Sequence, residues 1–285
     1  MTPFELSWAG GTAERHFRAR RKRQQVDDFP WDAVDLAAYR PEVIEAAQAS
    51  WTEGAFFEYC SGATFAAVAR ALLEAGAPID LVGMVGDFVA DEMLHVELNA
   101  RMAMAFGGAA PRLVDLSDLV PACTPGLSPF HTAVELALRI GVAEALTVPI
   151  LAEVSRASRH PLTHAVLAKL ARDEGPHAAL GLLVLEWADD RLTEADRARL
   201  AVAAEASMVS YRVDRARVAA QHVPMEIAQE MSDAGFAVPE RYVATLDRAM
   251  EQRVWDPLSA FGIFPPPPCS CETPGMRPKK IGENA

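Results

Sequence analysis

The sequence predicts an all-α protein. Alanine is abundant, β-branched runs are short, and apolar residues make up 51% of the 285 residues. Glycine and proline cluster between long stretches in which apolar residues recur with helical spacing, a pattern typical of helices joined by turns. An apolar fraction of this size supplies a sizeable core, enough for one large domain or two small ones.

Charge and composition restrict the classes of partner. The formal net charge of −12 at pH 7 argues against nucleic acid, because binding phosphates requires a basic surface. No stretch approaches about 18 uncharged apolar residues, so we expect no membrane-spanning helix. No secretory signal is visible, and the four cysteines do not form the framework of a disulfide-rich domain. We therefore expect a reduced, cytoplasmic protein.

Residues 1–40 are expected to form an irregular N-terminal arm. The arm contains a basic run, RARRKR at 18–23, which we interpret as a solvated, poorly ordered segment. A binding element is the alternative interpretation of this run.

Four long helices are expected after the arm, because apolar residues recur at helical spacing between glycine and proline breaks. Proline is tolerated in the first turn of a helix, which favours starts at the proline positions. The expected ranges are about 41–76, 78–107, 128–154 and 161–188. Their connections are short, long and short, so two antiparallel hairpins are joined by a crossover. This order predicts a ferritin-like four-helix bundle over residues 41–188.

The chain continues well beyond this bundle. A fifth helix is expected after Thr193, which can act as its N-cap, and shorter helices at about 224–234 and 239–258. Residues 189–258 are therefore expected to be accessory helices packed on the bundle. The remainder, 259–285, is a Pro-rich tail that we expect to be disordered. Its C-x-C motif, Cys269 and Cys271, is too weak a signal to predict a metal site.

Two pentapeptides within the expected helices share one pattern. DEMLH lies at 91–95 and DEGPH at 173–177, and each contains Glu-x-x-His. This spacing puts the two side chains on one helix face. Chance gives roughly 0.03 matches to Asp-Glu-x-x-His in a chain of this composition, so coincidence explains two matches poorly. The candidate metal ligands are Glu92, His95, Glu174 and His177.

A dinuclear metal site in a bundle also needs one carboxylate from each of the other two helices. Helix register selects them, because side chains that share a site must lie at similar heights across a turn. Glu58 lies at nearly the height of Glu92, and Glu144 lies at the height of Glu174. The same argument excludes Glu53 and Glu135 from the site, because both lie too far along their helices from the height of Glu92 and Glu174.

An aspartate precedes each glutamate of the repeated motif, so its side chain points about 100° away from the ligands. A histidine that binds metal through one nitrogen usually donates its other N–H to a carboxylate. We therefore expect crossed pairs, Asp91 with His177 and Asp173 with His95. The alternative is that both aspartates are helix-surface residues.

The proline in DEGPH distinguishes the two motifs. Pro176 cannot donate the hydrogen bond to the carbonyl of Arg172. A local bulge or kink is therefore expected at 172–177, and it would make the two metal positions unlike each other.

The six ligands resemble the ligand set of the ferritin-like di-iron carboxylate proteins. This group includes rubrerythrins, ribonucleotide reductase small subunits and arylamine N-oxygenases. RDEGPH is similar to the R-D-E-G-x-H segment of the reductase small subunits. The N-oxygenases carry a further histidine one turn before the last Glu-x-x-His, where this chain has Leu170. The resemblance covers residues 41–188.

The resemblance implies two iron ions, each held by one terminal glutamate, one histidine and bridging carboxylates. Mn/Fe or Mn/Mn pairs fit the same ligands, because oxygen-rich sites with two imidazoles suit iron or manganese. It also implies an enzyme that activates O₂. Because ligand carboxylates must be ionised and ligand histidines neutral, acid should release the metals.

Small residues one turn either side of Glu58 remove side-chain volume where a substrate would approach the metals. Trp51 and Phe65 could form the walls of such a pocket, and Thr147 flanks Glu144 as a potential water or proton ligand. Close helix packing is the alternative explanation of the small residues. The expected pocket residues are Trp51, Gly54, Ala55, Ser61, Gly62 and Thr147.

About 100 residues follow the bundle, which fits a cap over a pocket or a homodimer interface better than a short cage-forming chain. This favours an O₂-dependent oxidase or oxygenase that acts on a small organic substrate. The sequence shows no flavin or Fe–S motif, so a separate electron donor is expected. Alternatives are a ferroxidase or peroxide-scavenging protein, and a metal-bound protein with only a structural or binding role.

Overall fold

The structure, a computed structural model, describes residues 1–21 and 26–264. Its regular secondary structure is almost entirely helical, which confirms the predicted all-α class. A two-residue strand, β1 (Thr2–Pro3), pairs antiparallel with β2 (Leu113–Val114). Within the described ranges, no helix combines the length and the apolar character needed to cross a membrane.

From residue 41 onwards, the helices of the described ranges follow one another with short connections, except between the second and third long helices. In chain order they are α1 (Gly11–Arg21), α2 (Pro41–Glu74), α3 (Ile79–Ala105), α4 (Pro129–Ala157), α5 (Pro161–Ala188), α6 (Glu194–Ala219), α7 (Met225–Ala234), α8 (Pro239–Ala249) and α9 (Asp256–Ala260). A π-helical turn, Met250–Trp255, joins α8 to α9.

The four long helices, α2 to α5, begin and end at the signals found in the sequence. Helices α2, α4 and α5 carry proline in their first turn, and Ser128 accepts a hydrogen bond as the N-cap of α4. The glycines that follow α2 and α3, Gly76 and Gly107, adopt positive φ, a conformation that favours glycine. Thr193 and Asp196 form a capping box at the start of α6.

The long helices pack as two hairpins, α2 with α3 and α4 with α5, and the hairpins meet through α2 with α4 and α3 with α5. Helices α4 and α5 come into backbone contact at a pair of glycines. A Cβ on Gly141 would lie 2.8 Å from the backbone nitrogen of Gly181 and 2.9 Å from its Cα. Only glycine allows this approach.

The core consists of two apolar clusters with a polar layer between them. Within α2, Trp51 belongs to one cluster and Phe65 to the other, and Glu58 lies between them. Within α5, the buried apolar residues of 162–170 belong to the first cluster and those of 180–188 to the second, which leaves the motif DEGPH between them. The layer that holds the repeated motifs is therefore flanked by apolar packing on both sides.

The N-terminal arm is more ordered than the sequence predicts. Residues 1–40 contain α1, so the expectation of an irregular arm is wrong for this part. Arg18 donates to both carboxylate oxygens of Glu97 on α3, at 2.6 and 2.7 Å, and lies over the ring of Trp8. A buried carboxylate needs a cationic partner, and the basic run supplies it from far away in sequence. Residues 22 and 23 of that run lie outside the described ranges.

The predicted disordered tail begins later than expected. Helix α9 ends at Ala260, and Ile263 is fully buried in the core, so residues 259–264 belong to the fold. The rest of the tail, with Cys269 and Cys271, lies outside the described ranges.

The expected break at Pro176 is absent. Helix α5 continues as an α-helix through residues 172–177, so the predicted local bulge is wrong. Gly175 and Pro176 both lie on the exposed side, where water can bind the carbonyl that proline leaves without a donor. Gly175 also has no Cβ to clash with the following proline ring, which reduces the usual restriction on a residue before proline. Because the helix is regular here, it gives no reason for the two predicted metal positions to differ.

The glycine contact between α4 and α5 gives a stability prediction. Gly141→Ala should lower the free energy of unfolding by about 1–3 kcal/mol, because its Cβ meets backbone atoms that cannot rotate away. Gly86→Ala in α3 is the matched control, since no atom lies within 4 Å of its added Cβ. That control should raise the free energy of unfolding by about 0.5–1 kcal/mol through helix propensity alone. Urea unfolding of both variants measures this, and equal effects would contradict the close approach.

Candidate metal centre

The two repeated motifs meet in the polar layer between the apolar clusters. Four side chains, two from α3 and two from α5, each offer one ligand atom, and these atoms lie within 4.8 Å of one another. All four side chains are at most 1% exposed. They are Glu92, His95, Glu174 and His177.

Each histidine faces a glutamate of the other helix. Nδ1 of His95 lies 2.7 Å from Oε1 of Glu174, and Nδ1 of His177 lies 3.0 Å from Oε1 of Glu92. Nδ1 of His177 also lies 2.6 Å from Oε2 of Glu174 on its own helix. The four side chains therefore converge from two helices on one small volume.

Several of these polar atoms are buried without an aligned hydrogen-bond partner among the described residues. They are both carboxylate oxygens of Glu92, Nδ1 of His95, Nε2 of His177 and Oε1 of Glu174. Buried polar groups are almost always hydrogen-bonded, and an unpaired one usually has a functional reason, such as an ion. Carboxylate oxygens and imidazole nitrogens at such distances are the donor set of a metal site, so the residues present fit a bound metal.

Helices α2 and α4 bring one further glutamate each to the layer. Oε2 of Glu58 lies 4.0 Å from Nδ1 of His95. Glu144 is 5% exposed, and its Oε1 accepts a hydrogen bond of 3.2 Å from Ser61. Burial, followed by the carboxylates of Glu92 and Glu174, raises the pKa of both Glu58 and Glu144 well above the usual range.

The histidines balance part of this negative charge. Burial lowers the pKa of each imidazole, but the surrounding carboxylates outweigh it. The pKa of His95 is therefore raised well above its usual value, and that of His177 is raised to about 11. Burial raises the pKa of Glu174, yet the two histidines lower it to about 2. The raised pKa values of the histidines, Glu58 and Glu144 favour their protonated forms, which reduces the negative charge of the layer.

The aspartates of the two motifs lie across the helix pair from the histidines. Oδ2 of Asp173 is 3.4 Å from Nε2 of His95, and Oδ2 of Asp91 is 3.9 Å from Nε2 of His177. Their role as partners of metal-bound histidines stays a prediction. Asp173 also forms an ion pair with the buried Lys169, four residues earlier on the same helix face. Sequence reasoning missed this lysine, although its spacing was a readable signal.

Asn99 is a second residue that sequence reasoning missed. Its Nδ2 donates to the backbone carbonyl of His95 at 2.9 Å and to Oε1 of Glu58 at 3.3 Å. The amide therefore links α3 to the predicted ligand of α2. It occupies the space beside Gly54, where an added Cβ would collide with Oδ1 of Asn99. Its position one turn after His95 was the available signal.

The predicted substrate pocket beside Glu58 is filled by protein. A Cβ on Gly62 would lie 2.6 Å from Cε of Met93 and 3.2 Å from Cβ of Glu92. Together with Asn99 beside Gly54, this supports the alternative explanation, close packing of α2 on α3. Ala55 is buried in the same interface.

Two further pocket residues have structural partners elsewhere. Trp51 is buried and donates its indole N–H to the carbonyl of Ala234, at 3.0 Å, so it anchors α7 and does not line a pocket. Thr147 donates to the carbonyl of Ala143 on its own helix, at 3.1 Å. Its hydroxyl also lies 2.8 Å from that of Tyr211 on α6. Burial, followed by the Glu144 carboxylate, raises the pKa of Tyr211 above its usual range. No local pattern in the sequence connects α6 to this site.

Phenylalanine rings cover the His177 side of the centre. The ring of Phe88 lies 4.2 Å from that of His177, and the ring of Phe65 lies 5.1 Å from it, measured between centroids. Both phenylalanines are buried. This apolar wall keeps water from that side of the ligands.

The glutamates that helix register excludes have other partners. Glu53 accepts a hydrogen bond of 3.0 Å from Arg112 and is half-exposed. Glu135 is fully buried but is bound by Arg139 and by the backbone and side chain of Thr124. Neither carboxylate needs a metal.

Comparisons of the chain with protein-family models, with curated proteins and with solved structures find no match.

The contact between Gly54 and Asn99 can be tested by a double-mutant cycle. Gly54→Ala should destabilise the protein by about 1–3 kcal/mol, because Asn99 must move and give up buried hydrogen bonds. In an Asn99→Ala background the same Gly54→Ala change should cost nothing or stabilise, since the collision is gone and alanine favours helix. Urea unfolding of the four proteins gives the coupling energy. Additive effects would show that the two side chains do not compete for one space.

Proposed function

We propose that this chain is a ferritin-like dinuclear metal protein, with iron as its metal and O₂ as a reactant. Six residues of four helices would hold the two ions: Glu58, Glu92, His95, Glu144, Glu174 and His177. The observation that carries the proposal is the clustering of four carboxylates and two imidazoles in one layer, five of these six side chains being buried, with several donor atoms left without hydrogen bonds. The donor set suits iron, and Mn/Fe or Mn/Mn pairs fit it equally.

The leading function within this proposal is an oxidase or oxygenase that uses O₂ on a small organic substrate. A bound di-iron pair would supply the reduction of O₂, with electrons from a separate donor. The chain's own residues would hold the ions and exclude water through Phe65 and Phe88. Glu58 is 17% exposed, the most of the six, so small molecules would approach from the α2 side.

A ferroxidase or peroxide-scavenging protein is the second candidate. The observation that favours it is the filled space beside Gly54 and Gly62, where Asn99 and Met93 leave no room for a bulky substrate. Fe(II), O₂ and peroxide need far less space than an organic substrate. The two candidates share the metal centre and differ in what they oxidise.

Metal analysis tests the shared part of the proposal. Protein purified from iron-rich medium should contain about two metal ions per chain, and Glu92→Ala combined with His177→Ala should abolish binding, because each residue serves the centre. Glu97→Gln is the matched control. Glu97 is a buried glutamate of the same helix as Glu92, but Arg18 and Arg101 bind it. The Glu97→Gln protein should therefore contain as much metal as the wild type. Circular dichroism would verify that each variant is folded. A wild-type stoichiometry near zero would sink the dinuclear proposal.

Oxygen consumption separates the two candidates. After Fe(II) is added to the metal-free protein, an oxygenase without its substrate should consume O₂ for one turnover per site and then stop. A ferroxidase should continue and oxidise many Fe(II) ions per site. Oxygen-electrode traces at increasing ratios of Fe(II) to protein distinguish the outcomes. The Glu92→Ala, His177→Ala protein provides the background rate.

A further inference from the structure

A groove of about 730 Å³ lies on the side of the protein formed by α4, α8 and the π-helical turn. One face of α4 forms one wall, from Pro149 to Arg156. The facing wall runs from Arg241 in α8 to Arg253 in the turn. Alanines of both walls have short side chains, which leaves the space between the helices open. A volume of this size is typical of small-molecule sites.

The charge of this groove is opposite to that of the whole chain. Four arginines line it, Arg156, Arg241, Arg248 and Arg253, with Glu153 as the only carboxylate among its lining residues. The chain as a whole has a formal net charge of −12. Concentrated positive charge in a concave site raises the local concentration of anions.

The single carboxylate of the groove pairs with two of its four arginines. Glu153 binds Arg156 at 3.0 Å and Arg241 at 2.8 Å, one with each oxygen. In the part of the chain that the structure describes, neither Arg248 nor Arg253 has a carboxylate within ion-pair distance. Arginine presents a planar fork of donors that matches carboxylate and phosphate groups. Two such forks therefore face the groove with their donors available.

The local backbone supports a functional interpretation. Arg253 lies in the π-helical turn Met250–Trp255, and such turns are rare and frequently occur at functional sites. The groove also borders α4 five residues beyond Glu144, so an occupant would contact a helix that reaches the metal centre.

We propose that this groove binds a small organic polyanion, whose carboxylate or phosphate groups are held by Arg248 and Arg253. A small molecule fits better than an acidic protein surface, because the site is concave and its walls carry short alanine side chains between the arginines. The groove does not depend on the metal centre, so the two proposals can fail separately.

Isothermal titration of the full chain with two probes tests this site. Inorganic pyrophosphate and tricarballylate, which carries three carboxylates, distinguish a preference for phosphate from one for carboxylate. Saturable binding of at least one probe, at one per chain and weaker at high salt, is expected.

Arg248→Gln combined with Arg253→Gln should weaken this binding at least about tenfold, because two charge-assisted contacts are lost. Arg70→Gln on α2, an exposed arginine paired with Glu74, is the control and should change nothing. All proteins are compared at equal metal content.

Glu153→Gln gives a test of opposite sign. Removing this carboxylate releases Arg156 and Arg241, so the probes should bind several-fold more tightly than to the wild type. Absence of saturable binding by either probe would overturn the proposal, as would equal affinities in the double arginine variant and the Arg70 control. Sedimentation offers another way to refute it. The groove would be an interface between copies if three results occur together. The wild type would self-associate, the double arginine variant would be monomeric, and neither probe would bind.

Discussion

Placing carboxylates close together inside a protein costs free energy, because the charges repel one another and lose their hydration. Four carboxylates lie close together in the middle of this bundle. Each helix of the bundle contributes one glutamate, and two histidines complete the layer. Without a cation, protons must neutralise the layer, and the raised pKa values of Glu58, Glu144 and both histidines express that need. The surrounding residues, such as Asn99 and Ser61, hold the carboxylates in place in spite of their mutual repulsion.

Much of this arrangement could be predicted from the sequence, since its causes are local or periodic. Proline starts, glycine ends and the Thr193 cap depend on a few neighbouring residues, and the helices begin and end near the expected positions. The repeated Asp-Glu-x-x-His motif fixes two side chains on one helix face. Turn positions then set the heights of Glu58 and Glu144. The structure brings four of the six candidates into one tight group, with these two beside them.

The remaining features depend on contacts between residues that are far apart in the chain. Small residues beside Glu58 have the same pattern whether they border a pocket or a neighbouring helix, and the positions of Asn99 and Met93 decide between the two. The ordering of α1 depends on Arg18 reaching Glu97 on another helix. Tyr211 reaches Thr147 from a helix outside the bundle. In DEGPH, the exposed position of Pro176 and the glycine before it let the helix continue, and neither is visible from the rule that proline disrupts helices.

Two apolar clusters lie on either side of the polar layer, so that packing and polar side chains occupy different parts of the bundle. Apolar residues that hold the helices together are at the two ends, and the clustered glutamates and histidines are in the middle. Substitutions in the middle layer therefore leave the packing at both ends in place. A scaffold of this kind can exchange one set of polar side chains in the middle layer for another during evolution, or in the hands of a designer, and still fold.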